Sequence, residues 1–144
     1  MPLRFDLGAF EELHIGRCVI KNSHERSLFV VEGDMPIMKG KEYLPETAAH
    51  SVLERFYRCV QQMYLEEATE KYQGQYLQLA AQAMRQNTGL CSHLEAADQL
   101  IKAGDFYRAL KGLRKLLRPE VFRAVERGPS ANYVPRVNGW KRNG

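Results

Sequence analysis

Long apolar runs are absent from this sequence of 144 residues. No stretch approaches the roughly 20 consecutive apolar residues that a membrane-spanning helix requires. The first twenty residues include three acids, Asp6, Glu11 and Glu12, which a secretory signal peptide does not carry. We therefore expect a soluble protein that has no membrane segment and no cleaved leader.

Cysteine is scarce as well. Cys18, Cys59 and Cys91 are odd in number and lie far apart in the sequence. Such a set favours free thiols in a reducing compartment over a disulfide framework. A chain of this length can bury a core without disulfides or metal ions. These observations predict a single cytoplasmic domain.

Motifs for catalysis are also missing. The sequence contains no glycine-rich phosphate loop, nucleophile elbow or HExxH helix. The adjacent carboxylates at 11–12 and 66–67 do not face each other on a helix, which favours solvated charges at turns and helix ends. The four histidines have no metal-ligand spacing (His14, His24, His50 and His93). We expect a protein that is not an enzyme and that holds no metal and no cofactor.

Basic residues are present in modest excess. Lysine and arginine number 21 against 17 acids, which gives a net charge of +4 and a pI near 9.0. This excess favours a polyanionic partner only mildly, because many basic proteins bind nothing acidic. The positions of the charges are therefore more informative than their sum.

Alternating apolar and polar residues near the N-terminus predict short strands. Leu3–Leu7 is the first, and Leu13–Lys21 is a second whose alternation changes phase at Gly16, as a β-bulge would cause. Ser27–Glu32 predicts a third strand that closes a hairpin with the second, and Pro36–Met38 predicts a short edge strand. So few short strands need helices, or a second copy of the sheet, to cover them. Because residues 28–31 are apolar on both faces, we expect a homodimer through the N-terminal sheet.

The hydrophobic period changes to that of helices near residues 39–44. Start and stop signals divide the rest into four helices, which we expect at Pro45 to about Glu66, Thr69 to about Asn87, Ser92 to about Gly104, and Phe106 to about Leu117. The predicted fold class is α+β: a small N-terminal antiparallel β-sheet (residues 1–43) and a bundle of about four helices in the same domain (44–127). The tail (128–144) is basic and aromatic without a core pattern, and we expect it to be disordered.

The first predicted helix organises the others. Its apolar residues recur at helical spacing and should have the sheet on one flank and the remaining helices on the other (Val52, Leu53, Phe56, Val60, Met63 and Tyr64). Aromatic residues of the first two helices fit either a core or a set of base-stacking platforms (Phe56, Tyr57, Tyr64, Tyr72 and Tyr76). Helical spacing favours the core, with Tyr57 the residue furthest from the main stripe.

The fourth predicted helix is the cleanest amphipathic segment. Its basic side chains fill an arc of about 120° that includes Tyr107 and no acid (Arg108, Lys111, Arg114, Lys115 and Arg118). Clustered cations without acids are what RNA phosphates require, although a solvated face would have the same appearance. Arg17, Lys21 and Arg26 form a second candidate patch, on the outer face of the hairpin expected between the second and third strands. The tail adds Trp140, Lys141 and Arg142.

Three segments, in order, resemble the FlbT family of flagellum-biosynthesis regulators. They are the opening MPLRFDL, the central FYRCVQQMYL and the later GDFYRALKGLRKLL, and the similarity covers residues 1 to about 118. The resemblance implies a post-transcriptional repressor of flagellin synthesis. Such a protein associates with the 5′ untranslated region of flagellin mRNA and promotes its degradation without being a nuclease. The assignment of basic residues to RNA contact is separate from the resemblance and depends on charge alone.

A different class of function stays open beside this one. The protein could be a protein-binding adaptor or a flagellin chaperone, with flagellin or another flagellar regulatory protein as its partner. An unpaired sheet edge or an apolar groove would then bind that partner. Salt distinguishes the two hypotheses, because binding through several phosphates weakens steeply with ionic strength and apolar docking does not.

Overall fold

The computed structural model of the chain describes residues 2–123. The tail at 128–144, with the side chains that we considered for RNA contact there, lies outside the described residues. Antiparallel strands come first and helices follow, with no helix between Leu13 and Glu32. The predicted α+β class and its order are thereby confirmed.

Five short strands make up the N-terminal part. They are β1 (Leu3–Leu7), β2 (Glu12–Ile15), β3 (Cys18–Lys21), β4 (Ser27–Val31) and β5 (Ile37–Lys39). β1 pairs with β4, while β2 lies between β3 and β5, and all pairs are antiparallel. The expected edge strand near Pro36–Met38 is therefore present as β5.

The first four strands form one long, bent hairpin. Pairing runs from Ile15–Cys18 at the tip to Glu12–Lys21, and it resumes from Leu7–Ser27 to Leu3–Val31 with a register offset of one residue. The extra residue lies in segment 22–26, where the strand pair bends. The buried Asn22 stabilises the bend, because its side-chain amide donates to the carbonyls of residues 7, 8 and 25 at 2.8–3.0 Å.

Two strand predictions were wrong. Gly16 does not form a bulge within one strand; it begins the two-residue turn between β2 and β3, with φ of +57°, a region that favours glycine. A bulge and a two-residue turn change the phase of an alternating pattern in the same way, so the pattern did not distinguish them. Ser27–Val31 pairs with β1 and not with the preceding strand, because the bent hairpin keeps β4 opposite β1.

The helical part contains α1 (Val52–Glu66), α2 (Thr69–Gln86), α3 (Cys91–Lys102), α4 (Phe106–Arg114) and α5 (Glu120–Arg123), with short 3-10 turns at Gly40–Glu42, Glu46–Ala48 and Thr88–Leu90. The first helix begins at Val52 and not at Pro45, because Ser51 and Glu54 form a reciprocal capping box there. Helix α4 ends at Arg114, three residues earlier than expected, and the chain turns before α5.

Helix α1 lies at the centre of the core. Phe56, Tyr57 and Val60 have no exposed surface, and Tyr76 is buried against Phe56 with ring centroids 5.1 Å apart. The preference for core over stacking platforms is thus confirmed for these aromatics, including Tyr57.

The same helix also holds the segment that leaves the sheet. Tyr57, Gln61 and Tyr64 are spaced by four and three residues and therefore lie on one side of α1. The Tyr64 hydroxyl accepts from the Ile37 N–H (3.0 Å) and donates to the Ile37 carbonyl (3.1 Å). The Tyr57 hydroxyl donates to the Glu42 carbonyl at 2.6 Å, and Gln61 bonds to Leu44. Helix α1 thus satisfies backbone groups of residues 37–44 much as a neighbouring strand would.

Candidate nucleic-acid interface on helix α4

Helix α4 begins at a tight corner after α3. Gly104 adopts φ of +81°, which suits glycine, and the Asp105 N–H donates to the Leu100 carbonyl at 2.8 Å. The Asp105 carboxylate then accepts the Arg108 N–H at 3.2 Å as the N-cap of α4. This corner determines which side of α4 faces the protein.

The apolar side of α4 is fully covered. Ala109, Leu110 and Leu113 are at most 2% exposed, and α4 packs against α1 and α3. Because residues 107, 111 and 115 are offset from this side by the helical period, they face outward. The predicted division of the helix into an apolar and a basic arc is confirmed for these positions.

Four exposed side chains define the α4 face: Tyr107, Arg108, Lys111 and Lys115. Lys111 and Lys115 are one helical turn apart, and neither has an ion-pair partner among residues 2–123. Tyr107 is 56% exposed and lies four residues before Lys111, so an aromatic side chain is one helical turn from the first of the two lysines. Gly112 between them leaves open space, because a Cβ built there would meet nothing within 4 Å.

Arg108 and one further candidate, Arg118, are exposed but paired with acids. Arg108 lies 3.4 Å from Asp105 and Arg118 lies 3.6 Å from Glu54, and both arginine side chains are more than 70% exposed. Burial opposes ionisation of Glu54, but the N–H groups of Ser51 and His50 together with Arg118 outweigh it and lower the pKa of this carboxyl. Ion pairs with exposed arginines are weak, so both guanidinium groups remain accessible to phosphates.

Arg114 differs from the other four basic residues of the predicted arc. Its side chain is only 19% exposed and pairs with Glu42 at 3.3 Å, while its other terminal nitrogen donates to the Tyr57 hydroxyl. Burial raises the pKa of Tyr57 to about 12, so this hydroxyl stays protonated at neutral pH. Arg114 therefore joins α4 to α1 and to the 3-10 turn at Gly40–Glu42, and it turns inward where we expected it on the surface.

The second predicted patch does not form a common face. Its premise, a hairpin of the second and third predicted strands, is wrong because β3 and β4 are not paired. Arg17 is exposed at the hairpin tip, whereas Lys21 lies 3.5 Å from Glu12 and Arg26 lies beyond the bend, 3.0 Å from Asp6. The structure therefore separates these three cations along the hairpin.

The described part of the chain holds neither an activated thiol at Cys59 nor a metal-binding cluster. Burial raises the pKa of the Cys59 thiol to about 11, so it is protonated at neutral pH and is a poor nucleophile. Residues 2–123 contain no group of three or more histidine, cysteine or acidic side chains placed to hold a metal ion. Within these residues, no helix combines the length and apolar character needed to cross a membrane.

Comparisons of the sequence with known proteins find relatives in one family. A family model described as "Flagellar protein FlbT" matches residues 3–122. The chain is 38% identical over 120 residues to a probable flagellum biosynthesis repressor protein FlbT of Rhodopseudomonas palustris, covering 83% of this chain and 95% of that relative. It is 30% identical over 121 residues to a Bradyrhizobium diazoefficiens protein named probable flagellum biosynthesis repressor protein FlbT 1, covering 83% of each. No solved structure matches the chain.

Proposed function

The chain belongs to the FlbT family of flagellar proteins, and from this premise we propose that it is a post-transcriptional repressor of flagellin synthesis in the cytoplasm. In this proposal it associates with the 5′ untranslated region of flagellin mRNA and promotes degradation of that mRNA. The names of the relatives support repression. The protein acts by binding, and cellular ribonucleases cleave the transcript.

The α4 face is the observation that supports RNA as the partner. Arg108, Lys111 and Lys115 present three cations over about two helical turns, and each phosphate that they neutralise releases counterions. Tyr107 adds an exposed ring beside them, which suits stacking of an unpaired base. Phosphate contacts with a stacking ring favour single-stranded RNA over a continuous duplex, whose bases are already stacked.

An electrophoretic titration against a flagellin leader RNA at two salt concentrations tests this proposal. If three phosphates are neutralised, raising salt from about 50 mM to about 200 mM should weaken binding about 20-fold. In the double variant Lys111→Glu/Lys115→Glu, one of these cations remains, so the same salt change should weaken the residual binding only about threefold.

A control variant separates the α4 face from net charge. Arg55 and Arg85 are exposed on α1 and α2 without ion-pair partners in the described residues, and Arg55→Glu/Arg85→Glu changes net charge by the same amount. We expect this control to bind the leader nearly as well as the parent. Equal losses in both double variants would contradict a role for α4. Leader binding that does not respond to salt would instead favour the protein-binding adaptor or flagellin chaperone.

A further inference from the structure

The base of the bent hairpin carries apolar surface that the helices do not cover. We call β1 and β4 together the ribbon. Leu3, Leu28 and Val30 are 49%, 66% and 57% exposed on it. Among the described residues, the cluster of side chains that forms the helical core starts at Met38, so the ribbon contributes nothing to that core.

Strand register assigns these residues to faces. Arg4 lies opposite Val30 and Asp6 lies opposite Leu28, so these four side chains share one face, which we call the ribbon face. Leu3, Phe5 and Leu7 lie on the other face, where burial increases from Leu3 to Leu7. The ribbon face is thus two exposed aliphatic side chains beside one cation and one anion.

A two-stranded ribbon with such a face is marginal in water when it stands alone. It leaves apolar surface in contact with solvent, and both of its outer strand edges are unpaired in the described structure. From these features we infer that the ribbon face is the contact surface of a homodimer.

The charges on the ribbon face point to a second copy of this chain as its occupant. In a two-fold contact the same patch meets itself, so Arg4 of each copy can lie beside Asp6 of the other. Asp6 already contacts Arg26 at 3.0 Å, but both side chains are at least 60% exposed and Asp6 remains open to a second cation. A polyanion would leave Leu28 and Val30 uncovered.

The size of the ribbon sets the expected affinity. Each strand has five residues, so the ribbon is about 17 Å long. That is small beside an interface of standard size, which buries about 800 Å² on each partner. We therefore expect the dimer to dissociate in the micromolar range. The inference does not depend on RNA binding, since a monomer that binds RNA would overturn it and leave the proposed function intact.

Sedimentation equilibrium of the full chain, from about 1 to about 200 μM, tests for such a dimer. We expect the parent to shift from monomer to dimer across this range, and Val30→Lys to weaken association at least tenfold. Leu77→Lys is the matched control, because Leu77 is also 57% exposed but lies on α2. A parent that stays monomeric throughout, or a dimer that both variants weaken equally, would overturn the inference.

A charge exchange tests the two-fold arrangement and remains decisive if Val30→Lys does not fold. Arg4→Asp places two acids on the ribbon face, and Asp6→Arg places two cations there. Each variant alone should associate more weakly than the parent, whereas an equimolar mixture should recover association as a heterodimer. Failure of the mixture to associate more tightly than either variant alone would exclude this pairing of Arg4 with Asp6.

Discussion

Gln61 holds Leu44 by both of its backbone groups. The Leu44 N–H donates to Gln61 Oε1 at 2.8 Å, and Gln61 Nε2 donates to the Leu44 carbonyl at 3.0 Å. Both residues have no exposed surface. This amide is therefore a central link between α1 and the segment that leaves the sheet.

We expect Gln61→Leu to lower the free energy of unfolding by about 2–5 kcal/mol, because two buried backbone groups lose their partners. Urea unfolding followed by circular dichroism measures the loss. Gln62→Leu is the control, since Gln62 is half-buried and, among the described residues, its amide bonds to the side chains of Gln61 and Glu66 and to no backbone group. A loss for Gln61→Leu no larger than that for Gln62→Leu would contradict this role.

We expect the ring of Tyr107, and not its hydroxyl, to contribute to the binding of unpaired RNA. We expect Tyr107→Ala to weaken binding of a single-stranded leader segment by about 5-fold to 150-fold, the range for one stacked base. Tyr107→Phe keeps the ring and should bind like the parent. Filter binding to the same segment, and to that segment annealed to its complement, gives the comparison. Equal losses on both RNAs would argue against base stacking.

Lowering the pH should reduce the free energy of unfolding through protonation of His14. This residue is buried with its ring stacked on Tyr43, centroids 3.7 Å apart. Burial lowers the pKa of His14 from its ordinary value of 6.5; Glu12, 3.4 Å away, opposes the shift and Lys21 adds to it. As the pH falls, the unfolded chain therefore binds a proton at His14 before the folded chain does. The contribution of His14 is complete above about pH 6.5 and is lost as the pH falls below it.

Unfolding free energies at a series of pH values from 7.5 down to 5 measure this effect. His14→Phe keeps an aromatic ring against Tyr43 and should remove the loss in this window. His24→Phe changes an exposed histidine and should retain it. A parent that loses no stability between pH 7.5 and pH 5 would contradict this role of His14 and leave acid sensitivity to carboxyls such as Glu54, whose ordinary pKa is 4.5.

Two glycine substitutions should change the stability of the protein in opposite directions. Gly74 lies inside α2 with nothing within 4 Å of a built Cβ, so Gly74→Ala should stabilise the protein by roughly 0.5–1 kcal/mol. Gly104 has φ of +81°, and Gly104→Ala should destabilise it by about 1–2 kcal/mol. Thermal unfolding of both variants measures the difference. The same sign for both would contradict the described backbone at the α3–α4 corner.

Periodicity predicted the fold class and the two sides of α4. The direction in which each α4 side chain points follows from its position in the helical turn. Ala109 and Leu113 are buried, and Lys111 is exposed, as the 3.6-residue period requires. Arg114 lies at the border of the basic arc, where the helical period alone does not decide whether a side chain faces the core or the solvent. Its partner Glu42 is 72 residues away in sequence, and only folding brings the two together.

The same limit applies to the strands. An alternating pattern reports which residues share a face, and Leu13 and Ile20 do lie opposite each other. It does not report which strand is the neighbour, since several pairings satisfy one pattern. Helix starts depended on local chemistry in a similar way: Ser51 with Glu54 determined the first residue of α1, whereas Pro45 was the more conspicuous start signal.

The nested pairing of the bent hairpin also gives the chain an order of assembly. Only Gly16 and Arg17 separate the first pair, Ile15 and Cys18, whereas the pair of Leu3 and Val31 encloses the whole segment. Because the entropy cost of closing a loop grows with the residues enclosed, we expect the hairpin to zip from its tip and the ribbon to form last. In the homodimer that we propose, the contact surface therefore exists only once the chain has paired as far as Leu3 and Val31.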